Sequence, residues 1–308
     1  MPATELLMVT AAVPDLSTIA GAWVAATEYE LVERHRVSPE LDSLWATAAG
    51  SHPEAVVTRA DGSHRGFVRF VDRGVARGNR PIYETQGPMA IEFFARDASE
   101  VYARLAGGSV FKPITEPVDY DLTSIGSGRV QSVGFCAEGG LTFFVSTMKW
   151  VPPPRELPVS PQFLGPAVNM PVVALDRGPP EDFYNGLLGI PVRFDGPVRD
   201  ADVNRIMGAP ADLAYHITVY FIADGQMAEH HFHDPRRVVK AGTPADRLRA
   251  GAIGATYRVE GLDGILGRAR AAGYESRGPL RLGVAPYGSG RVAALTGPNG
   301  ELVELVED

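Results

Sequence analysis

The chain has 308 residues, 45% hydrophobic and 21% charged, a balance that excludes a disordered chain and a fibrous repeat and gives length for two cores. With 37 acidic against 29 basic side chains the formal charge is -8, so nothing favours nucleic acid or an anionic membrane, and a small neutral or apolar partner is expected. One cysteine, Cys136, rules out an internal disulfide and a thiolate metal cluster, which suits a reducing, cytoplasmic setting. The opening MPATELLMVTAAVPDL lacks a basic region followed by a long apolar one, and no stretch approaches about 18 apolar residues. Neither secretion nor membrane spanning is expected.

In chain order, AAVPDLSTIAGAW reads as a strand, a corner at Asp15 and a helix. The pattern returns in FFARDASEVYARLAGG with Asp97, in VALDRGPPEDFYNGLLG with Asp176, and in RVEGLDGILGRARAAG with Asp263. Strand-like runs follow, VRFVD from Val68, HITVYFIAD from His216 and GRVAALTG from Gly290. A second series consists of turns that open a strand: ADGSHRG from Ala60, AEGGLTF from Ala137, ADGQMAE from Ala223 and PNGELVE from Pro298. Both series step by roughly 75 to 90 residues, which predicts four βαβββ units. A lone unit cannot bury both faces, so the units are expected to pair into two tandem domains of an α+β fold. Residues 1–150 form the first, the proline-rich 151–166 a linker, and 167–308 the second.

Four such units ending in GPNGELVELVE resemble the vicinal oxygen chelate superfamily, which includes glyoxalases, bleomycin-resistance proteins and type I extradiol dioxygenases. The most specific local similarity is EDFYNGLLGIPVRFDG in the third unit. The resemblance implies that paired units form a cup. It also implies metal ligands at a first-strand His about seven residues before the corner Asp and at a Glu about four residues after the turn Gly. Those positions hold Met8, Ala90, Asn169 and the neighbourhood of Gly254, then Gly66, Phe143, Glu229 and Glu304. No histidine stands at a first-strand position, so the standard iron, zinc or nickel site is not expected. The N-terminal cup reads as a structural or lid-bearing half with no ligand set.

The strongest local signal is AEHHFHD from Ala228. As a strand, it places Glu229, His231 and His233 on one face, with Asn169 and Glu304 opposite and Thr256 and Arg258 along the adjacent strand. A carboxylate pair beside imidazoles supplies one acid and one base. His230 is expected in solvent or on the other side of the sheet, His216 half-buried, and His35, His52 and His64 at the surface. Tyr257 and Tyr287 are candidates to line a ligand, Tyr287 within RLGVAPYGSGR, which reads as a mobile rim. No phosphate loop, dinucleotide fingerprint, HExxH or GxSxG occurs.

The preferred reading is a lyase or isomerase that works without a metal or other cofactor, by proton transfer on a small carbonyl-containing or phenolic substrate. Glu229, His231, His233 and Glu304 would be catalytic, and Asn169, Thr256, Tyr257, Arg258 and Tyr287 substrate-binding. One alternative is a non-catalytic protein that sequesters a hydrophobic small molecule. The other is a lyase or dioxygenase with Glu229, His231 and Glu304 around Mn, Fe or Mg. A homodimer is an open expectation with no surface identified.

Overall fold

The computed structural model describes residues 3–72, 81–123, 128–137, 139–151, 160–222, 225–238 and 251–308. Most of the proline-rich linker, and the turn residues Glu138, Ala223 and Asp224, lie outside them.

Unit 1 runs β1 (Ala3–Val13), α1 (Leu16–Thr27), β2 (Tyr29–Arg36), α2 (Pro39–Leu44), β3 (Glu54–Ala60) and β4 (Phe67–Asp72). Unit 2 runs β5 (Gly87–Pro88), β6 (Ile91–Ala95), α3 (Ala98–Ala106), β7 (Phe111–Pro113), β8 (Val118–Asp121), β9 (Arg129–Ala137) and β10 (Thr142–Trp150). Unit 3 runs β11 (Leu164–Asn169), β12 (Pro171–Ala174), α4 (Gly178–Pro180) passing into a π-helical turn at Glu181–Leu187, β13 (Val192–Val198), α5 (Ala201–Ile206), β14 (Tyr215–Phe221) and β15 (Met227–Phe232). Unit 4 runs β16 (Gly251–Val259), α6 (Leu262–Ala271), β17 (Ser276–Arg281), β18 (Arg291–Thr296) and β19 (Leu302–Glu307).

The corner aspartates work as helix starts in the first two units. Asp15 accepts from the Thr18 backbone N–H at 2.9 Å and Asp97 from that of Ser99 at 2.8 Å, each a cap whose loss costs about 1 kcal/mol. Asp176 receives the Gly178 N–H just ahead of α4. The fourth corner is built differently, because Gly261 caps α6 and Asp263 lies inside its first turn. There Glu307 of β19 takes the free N–H groups of Gly261 and Leu262, and Asp263 pairs with Arg291.

The units pair in a nested order, not in sequence. β1 lies antiparallel to β16, so units 1 and 4 share one eight-stranded sheet in the order β17-β18-β19-β16-β1-β4-β3-β2. Units 2 and 3 meet where β6 pairs with β11 and β5 with β12. Two paired-unit bodies are present, but neither is the contiguous half expected from the repeat order. Each unit carries an apolar first strand with an open edge, and local pattern does not say which other edge it meets.

The largest core lies around the helices, between the eight-stranded sheet of units 1 and 4 and the six- and five-stranded sheets of units 2 and 3. In α1 the buried Leu16, Ile19, Ala20 and Trp23 follow helical spacing. Trp23 sits among Tyr29, Phe70, Phe93, Phe111 and Phe143 with ring centroids 5.2–5.9 Å away. This cluster ties unit 1 to unit 2 although they occupy different sheets. The sheets also touch at Gly66, whose φ of +60° and contact with β11 leave no room for a side chain, since a Cβ there would lie 2.4 Å from the Ala167 carbonyl oxygen. The two smaller cores fill the opposite faces, one in cup A of units 1 and 4 and one in cup B of units 2 and 3.

Candidate functional site

Strand alternation sorts the residues of β15. Glu229 and His231 face the hollow of cup B, and His233, just past the strand end, continues that row, so that His231 and His233 both stack on Tyr215 with centroids 4.8 Å away. His230 points to the other side of the sheet, fully buried against Tyr184 and Tyr220. Burial, then the neighbouring His231, hold His230 and His233 down at about 3, so both are neutral imidazoles. Neither ring of these two has a hydrogen-bond partner among the described residues.

Unit 2 supplies the other wall. Glu92 on β6 lies beside Phe144 of β10 and opposite Asn169 at the end of β11. The Asn169 amide Nδ2 donates to Glu92 at 3.0 Å and to Glu229 at 2.8 Å, so one amide links two carboxylates. The second Glu92 oxygen accepts from Ser146 at 3.0 Å, and Ser146 continues to Ser132 at 2.7 Å and on to the Tyr120 hydroxyl at 3.0 Å. The second Glu229 oxygen meets His231 Nε2. Burial, then the charge of Glu229, push Glu92 up to about 7, against the hydrogen bonds from Asn169 and Ser146. Such a carboxyl exchanges its proton near neutrality, as a group doing acid or base work must.

Glu92, Glu229, His231, Ser146, Ser132 and Tyr120 form the polar floor of a cleft of about 1150 Å³ including its open mouth. Its wall is apolar and aromatic, with Phe94, Phe144, Met148, Phe194, Ile206, Met207, Ile217, Val219 and Met227 from both units. An apolar cleft with a few converging polar groups is what small-molecule sites look like. α5 and β8 contribute wall residues, as do β9 and β14. Asp200 holds the start of α5 by accepting from the Asp202 and Val203 N–H groups.

Cup A is filled by the chain itself. Glu304 is 1% exposed and accepts from Trp45 Nε1 at 2.7 Å, the Tyr287 hydroxyl at 2.8 Å, the Thr256 hydroxyl and the Arg69 guanidinium at 3.0 Å. Arg69 also donates to the Thr10 hydroxyl and to the Tyr287 oxygen, and its guanidinium carbon lies 4.7 Å from the Trp45 ring centre. Burial opposes ionisation of Glu304, but the Arg69 charge and the hydrogen bonds outweigh it and hold this carboxyl below its ordinary value. Leu41 and Leu44 of α2, with Trp45 and Tyr287, occupy the hollow.

The expected site therefore divides. Glu229, His231, His233 and Asn169 come together in cup B, whereas Glu304, Thr256 and Tyr287 stand in cup A on the other sheet. The proposed metal set of Glu229, His231 and Glu304 is not assembled. Tyr287 is 2% exposed and buried over Arg69, not a mobile rim. Tyr257 lies in the core between the sheets near Tyr184, and Arg258 pairs with Glu5 and Asp308 at the sheet margin. His52, expected at the surface, is buried and meets Asp42 at 2.9 Å.

The N-terminal half, expected to be structural or lid-bearing with no ligand set, provides Glu92, Ser132, Ser146 and Tyr120 to cup B. In both N-terminal units the position four residues after the turn glycine does not face the cup. Phe143 packs behind the sheet while Phe144 faces the cleft, and the cup-facing residue of β4 is Arg69, not Gly66. A usable signal was present: Glu92 in IEFFA and Arg69 in FVRFV are lone ionisable residues inside apolar strands.

Comparison with solved structures places this arrangement. Maize glyoxalase I matches with a TM-score of 0.64 at 12% identity, over 98% of this chain and 92% of that one. The fold is that of the vicinal oxygen chelate superfamily. A mutant of the same maize enzyme gives 0.65 at 14% identity with the same coverage. A putative dioxygenase from Bacillus subtilis gives 0.61 at 12% identity, over 100% of this chain and 86% of that one. No family model and no curated protein sequence matches the chain.

The vicinal oxygen chelate fold implies a divalent metal, and the residues present do not fit one. In cup B the Asn169 N–H donor occupies the place between the Glu92 and Glu229 carboxylates, and His231 turns its Nε2 to Glu229. Cup A spends Glu304 on a guanidinium. Among the described residues, no group of three His, Cys, Asp or Glu is placed to hold a metal ion. No helix among them is long and apolar enough to cross a membrane.

Proposed function

We propose that cup B binds a small, largely apolar molecule and acts on it by proton transfer, as a lyase or isomerase whose chemistry rests on Glu92 and Glu229. The observation that carries this reading is the pair of carboxylates joined through Asn169 at the floor of an apolar cleft. Two carboxylates this close do not ionise independently, so one holds the proton while the other accepts one. Glu92 is the proton holder. Glu229, oriented by His231, is the base that faces the ligand. The substrate class is a small carbonyl-containing or phenolic molecule, with a C–H or O–H acidified by its neighbour.

The test uses phenylacetone as a generic carbonyl probe in deuterated water, with exchange at the α-carbon followed by NMR. Exchange faster than buffer is expected, falling by about 10²-fold or more in Glu229→Gln and Glu92→Gln. Binding of the neutral dye N-phenyl-1-naphthylamine should survive in both variants. The wall of the cleft also suits a second reading, sequestration of an apolar ligand without turnover. Dye binding with no exchange in any form would select that reading over the enzyme.

A further inference from the structure

The two cups share one design, and comparing them points to the charge of the missing ligand. Glu304 and Glu229 each stand four residues after the turn glycine, Gly300 and Gly225, on the last strand of their units. In cup A the chain places a guanidinium against the carboxylate and between two rings, since Arg69 lies 4.7 Å from the Trp45 ring centre and 5.5 Å from that of Tyr287. In cup B the matching carboxylate has a second one beside it, and no Lys or Arg is among the described residues that line the cleft.

We propose that cup B takes a hydrophobic organic cation, an ammonium or guanidinium carried on an apolar body, which occupies the place that Arg69 fills in cup A. The inference rests on cup B being the ligand site and narrows its substrate class to molecules that bear a basic nitrogen.

Three further features support it. Buried carboxylates without a cation are costly, and an external cation relieves that cost most where water is excluded. Tyr215 and His231 are each about nine-tenths or more buried and line the cleft, and the Tyr215 hydroxyl and His231 Nδ1 have no partner among the described residues, so polar atoms remain for a ligand. Aromatic rings beside the acids, among them Phe144 and Tyr215, add cation–π attraction. An anionic ligand would meet two carboxyl groups and no Lys or Arg side chain among the described lining residues.

The experiment compares three molecules of one shape by displacement of N-phenyl-1-naphthylamine near neutral pH: 1-naphthylmethylammonium, 1-naphthylmethanol and 1-naphthoate. The ammonium is expected to bind at least tenfold more tightly than the alcohol, and the carboxylate most weakly. Glu92→Gln and Glu229→Gln should each bring the ammonium within about threefold of the alcohol, whose own affinity reports that the cup is intact. Equal or tighter binding of the alcohol or carboxylate by the unaltered protein, or a preference that survives both substitutions, overturns the inference and leaves the proton-transfer reading standing. If the dye and all three compounds fail to bind, the ligand site itself is refuted, and the inference with it.

Discussion

Glu92 makes stability depend on pH in a way that can be worked out in advance. Its folded value of about 7, against an ordinary 4.5, means that the folded state holds a proton the unfolded chain has released. The contribution is therefore full below about pH 4.5 and is lost as pH rises through about 7. At about 1.4 kcal/mol per unit, the loss amounts to about 3 kcal/mol across that interval. Glu92→Gln keeps the shape and removes the titration. Urea unfolding of both proteins between about pH 4.5 and 8.5 isolates the effect, because the other titrating groups cancel in the difference. Relative to the variant, the unaltered protein should lose about 3 kcal/mol as the pH rises. A difference constant to within about 1 kcal/mol would refute the buried-pair argument, and with it the assignment of Glu92 as the proton holder.

Two other perturbations follow from the same structure. Arg69→Met strands Glu304 with its charge buried, so urea unfolding should show a loss of about 3–5 kcal/mol, and Arg69→Met with Glu304→Leu should recover most of it. His233 is held neutral with a value of about 3, so its contribution is full above about pH 6.5 and is lost as the pH falls. His233→Phe should therefore resist acid better, gaining about 2 kcal/mol on the unaltered protein between about pH 6.5 and 4.5; parallel pH profiles would count against it.

Much of this was written locally and could be read locally. The capping aspartates Asp15 and Asp97 and the turn glycines announced the four units, and counting from Gly225 and Gly300 found both cup glutamates. The alternation of Glu229, His231 and His233 was sound because a strand has a fixed period. What failed depended on distant chain. The alignment of β1 with β16 is a choice among similar apolar edges, so Glu304 was assigned to the wrong partner and Glu92 to no site at all. A one-residue slip in β10 was enough to exchange Phe143 for Phe144, because neighbouring strand residues face opposite sides.

The nested pairing also orders events during synthesis. Strands of cup B are complete once Phe232 has been made, whereas β1 waits for β16 and gains its antiparallel neighbour only after Gly251–Val259 has been made. Until then the Ala3–Val13 edge is an open, largely apolar strand, the kind of surface that other chains add to. Closure of cup A is the long-range step, with Val9 meeting Ala255, and such contacts form slowly. The burden of avoiding aggregation therefore falls on β1.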